Sequence, residues 1–262
     1  MNLEFQKFQA NGNDFVMVLD LQHQVELSVK QISRICDRHF GIGADGLMLL
    51  RSSADFDFEM NFYNSDGLPA EMCGNGGRCM AAIAFNEGIA SEEMIFKASD
   101  GIHKAVINRE IKPNQIFDVS LMMIDVETVE VYPDGYFLNT GVPHFVKFVD
   151  DIVSFDVLGE GRKIRESIRF SPAGTNVNFV SMHNGRLVVR TYERGVENET
   201  LSCGTGVTAS SIATFLKTGV QYLPIHTHGG DFKVNFEPKG DSFTNIWLRG
   251  PAGKVFEGEM VV

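Results

Sequence analysis

One stretch of this sequence occurs twice and limits the folds that the chain can adopt. Residues 71–85 read EMCGNGGRCMAAIAF, and residues 201–215 read LSCGTGVTASSIATF. In each, a cysteine and a glycine precede a small polar residue and a second glycine, and a run of small and apolar residues follows. A run of this kind predicts a helix that is buried on every side. Cys73 and Cys203 are 130 positions apart, about half of the chain, so we expect two similar halves, each built around one buried helix.

Both cysteines lie where their helices are expected to begin. A helix start presents backbone N–H groups that have no partner within the helix, together with the positive end of the helix dipole. Such a place binds carboxylates and favours a thiolate. A cysteine ahead of an apolar helix is more commonly a small buried hydrophobe, the role that we expect for Cys36 and Cys79. The repetition and the glycines favour a different role for Cys73 and Cys203, which would form a two-sided acid/base site if they faced one another.

The composition is that of a globular protein with substantial cores. The chain has 262 residues, 44% of them apolar and 22% charged, which fits one large domain or two of ordinary size. The net charge is −11 and no basic run is present, so we expect no binding to nucleic acid. No apolar run reaches membrane-spanning length and the first residues lack a secretory pattern, so we expect a soluble, cytoplasmic protein that binds no membrane. Four cysteines without a C-x-x-C pair indicate neither a disulfide scaffold nor a zinc or thioredoxin-type site.

Landmarks outside the cysteine motifs also recur in the same order. Phe15 and the valine after it match Phe145 and its valine at an offset of 130, and Tyr63 matches Tyr192 at an offset of 129. Alternating apolar and polar residues predict strands around both buried helices. Further helices are expected after Ser28, a suitable N-cap residue, and within residues 151–166.

These patterns predict an α/β protein of the α+β type with two pseudo-symmetric domains. Each domain is expected to be a mostly antiparallel sheet wrapped around its central buried helix, with the active site in the cleft between the domains. The expected boundaries are 1–115 plus 251–262 for the N-terminal domain and 116–250 for the C-terminal domain.

Two other motifs are interpreted as unrelated to binding. GIGADG at residues 41–46 fits the dinucleotide pattern GxGxxG, which requires a strand before it and a helix after it. Here a predicted helix precedes it and an apolar strand follows, so we reject a dinucleotide site. His226 and His228 could share a metal, but no third ligand is evident in the sequence, and we expect no metal site.

Seven segments together resemble a known family. NGNDFV, FYNSDG, EMCGNGGRC, GxPH, GTNVNF, YERG and SCGTG occur in this order, and over essentially its whole length the chain resembles diaminopimelate epimerase. The resemblance implies two pseudo-symmetric α/β domains with a cleft between them. It implies the interconversion of LL- and meso-2,6-diaminopimelate without pyridoxal phosphate or another cofactor, a step toward lysine and peptidoglycan. It also implies a homodimer.

The resemblance assigns roles to individual residues. It implies that Cys73 and Cys203 are the catalytic pair and that His144, beside the first cysteine, assists catalysis. Glu193 is also expected among the catalytic residues. In Glu193-Arg194, the arginine would meet the distal carboxylate of the substrate and the glutamate would lie near an amino group. The residues implied to bind the substrate are Asn13, Asn64, Gly74, Asn75, Asn176, Glu193, Arg194, Gly204 and Thr205. The sequence departs from the family at Val142, where many members have an asparagine that contacts substrate, and at Gly46, where some have glutamine.

The chemistry of inversion explains why such a family needs two cysteines. One group must remove the α-proton from one face of the carbon, and a second group must deliver a proton to the opposite face. One thiol therefore starts as the thiolate and the other as the thiol, and the two exchange states after each turnover. The charge that develops spreads into the α-carboxylate, which two helix starts could hold.

Alternative interpretations remain open at this stage. A racemase of the same chemistry with a smaller substrate, such as proline, would leave the second polar set of Asn64, Asn176 and Arg194 without a partner. A thiol-redox protein is disfavoured by the absence of a C-x-x-C pair. Taken singly, each asparagine could serve a turn, Glu193-Arg194 a surface ion pair, and His144 the packing of a core.

Overall fold

The computed structural model describes residues 2–70, 73–111 and 115–262. The chain divides into two compact units, residues 1–121 with 250–262 (unit 1) and residues 122–249 (unit 2). The first boundary differs from the expected one at 115/116, because the strand that begins at Ile116 pairs with its neighbours in unit 1. Among the described residues, no helix combines the length and apolar character needed to cross a membrane.

Unit 1 is a closed ring of strands with one helix inside it and one outside. Its elements are β1 (Asn2–Ala10), β2 (Asn13–Leu19), α1 (Val29–Cys36), β3 (Gly46–Arg51), β4 (Phe58–Asn64), α2 (Gly74–Asn86), β5 (Glu93–Ala98), β6 (Gly101–Ile111), β7 (Ile116–Met122) and residues 250–261 of β16 (Ser242–Val261). Each strand from β1 to β7 pairs with the next, β7 pairs with β16, and β16 pairs with β1. The last strand of the chain therefore closes the ring of unit 1.

Unit 2 repeats this plan. Its elements are β8 (Val129–Tyr132), β9 (Gly135–Asn139), β10 (Pro143–Phe148), α3 (Val157–Arg165), β11 (Asn176–His183), β12 (Arg186–Glu193), β13 (Asn198–Thr200), α4 (Gly204–Thr218), β14 (Ile225–Thr227), β15 (Gly230–Lys239) and residues 242–249 of β16. The pairing order is β8-β9-β10-β11-β12-β14-β15-β16, and β13 pairs with β12. Val126, which precedes β8, exchanges two backbone hydrogen bonds of 2.8 and 2.7 Å with Phe243 of β16. The α+β class and the two similar halves expected from the sequence are confirmed.

The central helices α2 and α4 are the two that the cysteine motifs predict. Residues 74–84 of α2 are all buried, as are residues 206–214 of α4. The polar residues of α4 can be buried because their hydroxyls donate to backbone oxygens one turn earlier, Thr208 to Gly204 at 3.0 Å and Ser210 to Gly206 at 2.7 Å. Gly219 ends α4 with a φ of 71°, a left-handed conformation that favours glycine.

The outer helices α1 and α3 cover the other face of each sheet. Ser28 caps α1, as predicted, through a capping box with Gln31. In α1, Ile32 and Ile35 pack on a core that includes Val16 of β2. In unit 2, α3 packs on a core that contains Phe145. The sheets therefore bury one face against the outer helix and the other against the central helix.

Strand register corrects one of the sequence landmarks. Phe15 of β2 is paired with Gly46 of β3, whereas Asn176, the residue 130 positions after Gly46, is paired with His144. A β-carbon added at Gly76 of α2 would lie 3.6 Å from Phe15, and one added at Gly206 of α4 would lie 3.3 Å from His144. Phe15 thus corresponds to His144, at an offset of 129, and the predicted match of Phe15 with Phe145 is wrong. Adjacent residues of a strand face opposite sides, so residue type alone suggested the wrong face.

Candidate active site

The N-terminal half-site is the start of α2. Cys73 is the N-cap residue with an extended backbone, and its half-buried thiol lies 3.6 Å from Asn13 Oδ1, to which it donates. The hydrogen bonds of the helix begin with the amide of Gly77, which donates to the carbonyl of Cys73 at 2.7 Å. The amides of Gly74 and Gly76 therefore stand outside the hydrogen-bond ladder of α2, as expected for the first turn of a helix.

A buried arginine lies beneath this helix start. Arg78 is fully buried, and its Nη2 donates to Asn11 Oδ1 at 2.8 Å and to Asn75 Oδ1 at 2.9 Å. The amide nitrogen of Asn75 is thereby directed to Asn13 Oδ1, at 3.3 Å. Burial lowers the pKa of Arg78 to about 10. The guanidinium stays charged at neutral pH and adds positive charge near the start of α2.

A cluster of charged residues holds Asn13 from the other side. Asn13 Nδ2 donates to Asp45 at 2.5 Å, and Arg38 donates to both Asp45 and Asp14 at 2.7 Å. Lys7 forms an ion pair with Asp14 at 2.7 Å. Burial alone would raise the pKa of Asp14, but the hydrogen bonds from Arg38 and Lys7 outweigh it and lower the pKa to about 2. Asp14 therefore stays ionised, and the hydrogen bond to Asp45 fixes the amide group of Asn13.

The C-terminal half-site is the start of α4. Cys203 is its N-cap residue, and the Cys203 sulfur lies 3.3 Å from the hydroxyl oxygen of Thr205. The same hydroxyl lies 2.9 Å from Nε2 of His144. The helical hydrogen bonds begin with Val207, whose amide donates to the carbonyl of Cys203 at 2.8 Å, so the amides of Gly204 and Thr205 stand outside the ladder of α4.

His144 is neutral in this environment. The imidazole is fully buried, and burial, together with the positive charge of Arg194, lowers its pKa to about 3. Nδ1 of the ring lies 3.0 Å from the side-chain nitrogen of Asn178. The family resemblance implies a position beside the first cysteine, and within unit 2 the ring contacts Thr205, two residues after Cys203.

The remaining predicted substrate-binding residues lie in both units. In unit 2, Asn176 is buried and its Oδ1 accepts from the backbone N–H of Arg194 at 2.7 Å. Arg194 also donates to the carbonyl of Ala173 at 3.1 Å, and Glu193 accepts from the hydroxyl of Thr200 at 2.9 Å. Asn176 and the Glu193-Arg194 pair thus form one connected group. In unit 1, Asn64 ends β4 with an exposed side chain, and Val142 of unit 2 is half-buried before β10.

The other two cysteines behave as the sequence predicts. Cys36 is 3% exposed and Cys79 is fully buried. Burial raises the pKa of Cys36 to about 11, and it raises the pKa of Cys79 as well. Both thiols therefore stay protonated at neutral pH and serve as small core residues.

Sequence reasoning missed three polar residues at the half-sites. Arg78 is part of the GNGGRC motif, but its run of small neighbours suggested only an apolar helix. Asn178 and Thr191 are buried below the start of α4. Asn178 follows Asn176 by two positions in a strand, so the two side chains lie on the same face. This spacing in the sequence could have identified Asn178.

Comparisons with known proteins show the family and the fold of this chain. The sequence profile of the diaminopimelate epimerase family matches residues 5–128 and 136–255. A diaminopimelate epimerase from Flavobacterium psychrophilum is 46% identical to this chain, over 97% of the chain and 99% of the relative. Crystal structures at lower identity share the fold. A PhzF-family phenazine biosynthesis protein from Bacillus anthracis has a TM-score of 0.78 at 13% identity and covers 100% of both chains. A hydroxyproline epimerase from Agrobacterium vitis has a TM-score of 0.70 at 14% identity, over 99% of this chain and 92% of its own.

Proposed function

This chain belongs to the diaminopimelate epimerase family, and on that premise we propose that it interconverts LL- and meso-2,6-diaminopimelate by inverting one α-carbon. The observation that carries the proposal is that each unit presents a cysteine at the first turn of a buried helix, at corresponding places in two similar folds. The product would serve the synthesis of lysine and of peptidoglycan precursors.

The proposed reaction uses Cys73 and Cys203 as a pair of bases. The thiolate of one cysteine takes the α-proton from one face of the carbon and becomes a thiol. The thiol of the other cysteine gives its proton to the opposite face and becomes a thiolate. The two sulfurs end with their states exchanged, and the same steps in reverse convert the product back. The reaction therefore requires one half-site at each face of the reacting carbon.

The helix starts would stabilise the charge that develops during proton transfer. As the α-proton leaves, negative charge spreads into the α-carboxylate. The amides of Gly74 and Asn75 on one side, and of Gly204 and Thr205 on the other, are placed at helix N-termini, where anions are favoured. Loss of one such donor from a comparable oxyanion site costs about 2.7–4 kcal/mol of transition-state stabilisation. These backbone donors would stabilise the charge without a cofactor.

The second polar set would recognise the distal amino-acid end of the substrate. Arg194 can bind a carboxylate through two parallel N–H groups, and Glu193 can accept from an ammonium. The side chains of Asn13, Asn64 and Asn176 can each donate and accept. A substrate with one end, such as proline, would make no contact with these groups, which disfavours a proline racemase. Val142 would leave the substrate without one contact that many family members provide.

The setting of the enzyme follows from the same proposal. The proposed reaction needs both catalytic thiols in the reduced state, which favours a reducing compartment such as the cytoplasm. The family resemblance supports a homodimer, which light scattering of the purified protein would test by its mass in solution.

An assay with matched substrates tests the proposal. We expect the purified protein to convert LL-diaminopimelate to the meso isomer with no added cofactor, followed by chromatography on a chiral phase. We expect no racemisation of L-proline under the same conditions. Conversion of proline, or no conversion of diaminopimelate by folded and reduced protein, would refute the proposed substrate.

A further inference from the structure

The internal repeat shows that one half-site is lined differently from the other beneath its helix start. In unit 1, a β-carbon at Gly76 would lie 2.1 Å from Met48 and 3.6 Å from Phe15. Phe62, paired with Met48 in the sheet, packs its ring edge-on against Phe15 at 5.8 Å between centroids. The place beneath the start of α2 is therefore filled by three apolar side chains, and the fold needs no polar residue there.

The corresponding place in unit 2 is filled by three polar side chains. A β-carbon at Gly206 would lie 2.2 Å from Asn178 Oδ1 and 3.3 Å from His144. Thr191 is paired with Asn178 in the sheet, as Phe62 is with Met48. His144, Asn178 and Thr191 thus replace Phe15, Met48 and Phe62, and all three are buried, His144 and Asn178 completely. Buried polar groups are costly unless they are paired, so this substitution of a whole layer requires an explanation other than packing.

The hydrogen bonds of this layer run in one direction. The side-chain nitrogen of Asn178 lies 3.4 Å from the carbonyl oxygen of Phe145, which can only accept, so the orientation of the amide is determined. Thr191 donates to the other end of the amide, Oδ1, at 2.9 Å. Asn178 therefore donates to Nδ1 of His144, which places the proton of the neutral ring on Nε2. Nε2 in turn donates to the Thr205 hydroxyl, 2.9 Å away.

We propose that Asn178 and Thr191 are positioning residues that hold His144 as the Nε2–H tautomer, so that the hydroxyl hydrogen of Thr205 is directed at the sulfur of Cys203. The catalytic purpose of this arrangement rests on the proposed two-thiol reaction, but the hydrogen bonds that define it do not. When Cys203 is a thiolate it carries no hydrogen, and Thr205 is the donor in their 3.3 Å contact. When Cys203 is a thiol, the same hydroxyl hydrogen occupies the line between oxygen and sulfur, so the S–H points away from Thr205.

Other titratable groups face the same region. Register places Tyr136 of β9 and Glu193 of β12 on the face of the sheet that packs against α4, and Arg194 follows Glu193. His144 does not titrate in the working range, because burial and Arg194 keep it neutral. Glu193 and Arg194 are present in wild type and in all variants. A difference in the pH response of Cys203 between them therefore reports on the hydrogen bond from Thr205.

The test measures how readily each thiol reacts as a function of pH, which needs no substrate. The intact protein is treated briefly with iodoacetamide at a series of pH values, and mass spectrometry reports alkylation of Cys203 and Cys73 separately. Two variants, N178L and N178M, replace the amide of Asn178 with apolar groups. T205V removes the hydroxyl of Thr205 but keeps its backbone amide. The double variant N178L/T205V combines both changes. M48L, at the corresponding place in unit 1, is the matched control. Methionine occupies this place in unit 1 and gives N178M a packing precedent if N178L does not fold.

We expect N178L, N178M and T205V each to raise the midpoint pH of Cys203 alkylation by about one unit, since a hydrogen bond to a charged group is lost. The midpoint of Cys73 and the whole profile of M48L should not move. The double variant should shift no further than T205V, because Asn178 acts through the Thr205 hydroxyl. In turnover, kcat for diaminopimelate should fall about tenfold in N178L while KM changes less than twofold.

Several results would overturn the proposal. An unchanged Cys203 midpoint in N178M, or shifts that add in the double variant, would show that Asn178 only supports packing. Nitrogen-15 NMR of wild-type His144 gives an independent answer, since a proton on Nδ1 would contradict the tautomer. If the alkylation shifts occur in a protein that does not epimerise diaminopimelate, the positioning role stands and the proposed substrate fails. If the wild-type protein epimerises diaminopimelate but the variants do not shift the Cys203 midpoint, the positioning role fails and the proposed substrate stands.

Discussion

At the scale of single residues, the second glycine of each cysteine motif is explained by what lies beneath it. A β-carbon at Gly76 would meet the terminal methyl of Met48 at 2.1 Å, and one at Gly206 would meet Asn178 Oδ1 at 2.2 Å. The methyl belongs to a flexible side chain that can turn aside. Asn178 is held by Thr191 and His144 and cannot move without breaking buried hydrogen bonds.

We therefore predict that G206A is more harmful than G76A. Overpacking against a fixed group should make G206A less stable by about 1–3 kcal/mol. In G76A, displacement of Met48 is offset by the better helix propensity of alanine, about 1 kcal/mol, so the change should be close to zero. Urea unfolding of both variants, each compared with wild type, measures the difference. Equal destabilisation would show that Asn178 is as free to move as Met48.

The cysteines give a second prediction at this scale. C73A and C203A should each reduce the rate of epimerisation by about 10²–10⁴-fold or more, because general acid–base catalysis by a positioned group contributes that much. Thermal unfolding should change little, since both cysteines lie at helix starts and not in the helical cores. C36A, which alters a buried cysteine of the core, is the control and should keep its activity. Full activity in C73A or C203A would contradict the paired-thiol reaction.

At the scale of secondary-structure elements, an ionic cluster ties together β1, β2 and the loop after α1. Lys7 of β1 and Arg38 of the loop both contact Asp14 of β2, and Arg38 also contacts Asp45 ahead of β3. The neighbouring Asn13 takes its orientation from this cluster. Fixing three segments at one carboxylate should therefore matter for both stability and the half-site.

The cluster predicts a defined response to acid. The pKa of Asp14 is about 2 in the folded protein and about 3.9 in an unfolded chain, so the carboxylate stabilises the fold above the unfolded value. That contribution, about 2 kcal/mol at neutral pH, should be lost as the pH falls from about 4 through about 2. D14N should be less stable than wild type by about this amount at pH 7, and the difference should shrink in the same pH window. Denaturant unfolding at several pH values measures it, and a difference that is constant down to pH 2 would contradict the assignment.

Much of the element plan could be predicted from the sequence, and its failures have a physical cause. The start of each central helix and the cap at Ser28 follow from local rules about cysteine, glycine and serine positions. The correspondence of Phe15 with His144 could not be predicted, because it depends on strand register, which is set by pairing partners distant in sequence. The buried role of Arg78 was hidden for a similar reason, since its partner Asn11 lies 67 positions away.

At the scale of the whole molecule, two units of one plan carry one half-site each. Strand β16 contributes to both units, so the ring of unit 1 is completed by the last residues of the chain. The half-sites differ in their surroundings, with a buried cation at the start of α2 and a neutral hydrogen-bonded layer at the start of α4. Two similar folds therefore give Cys73 and Cys203 different surroundings.

The proposed reaction predicts a specific sensitivity to oxidants. If the two sulfurs act on the same carbon, as the proposed reaction requires, they can also react with one another when the substrate is absent. We expect mild oxidation to join Cys73 to Cys203 and abolish activity, because a sulfur–sulfur bond of about 2 Å leaves no room for the substrate. Reduction should restore activity, and bound substrate should protect the thiols. Peptide mapping under non-reducing conditions identifies the bond, and oxidised protein that is active with this bond intact would contradict the proposed geometry.

The most direct test of the two-base reaction is the origin of the hydrogen in the product. LL-diaminopimelate is incubated with the protein in deuterated water, and both isomers are analysed by mass spectrometry at low conversion. We predict that nearly every meso molecule carries one deuterium, at the inverted carbon, because its proton comes from a thiol that has exchanged with solvent, while the remaining LL-diaminopimelate carries almost none. A meso product that retains the hydrogen of the substrate would mean that one group moves the proton from face to face, and it would contradict the pairing of Cys73 with Cys203.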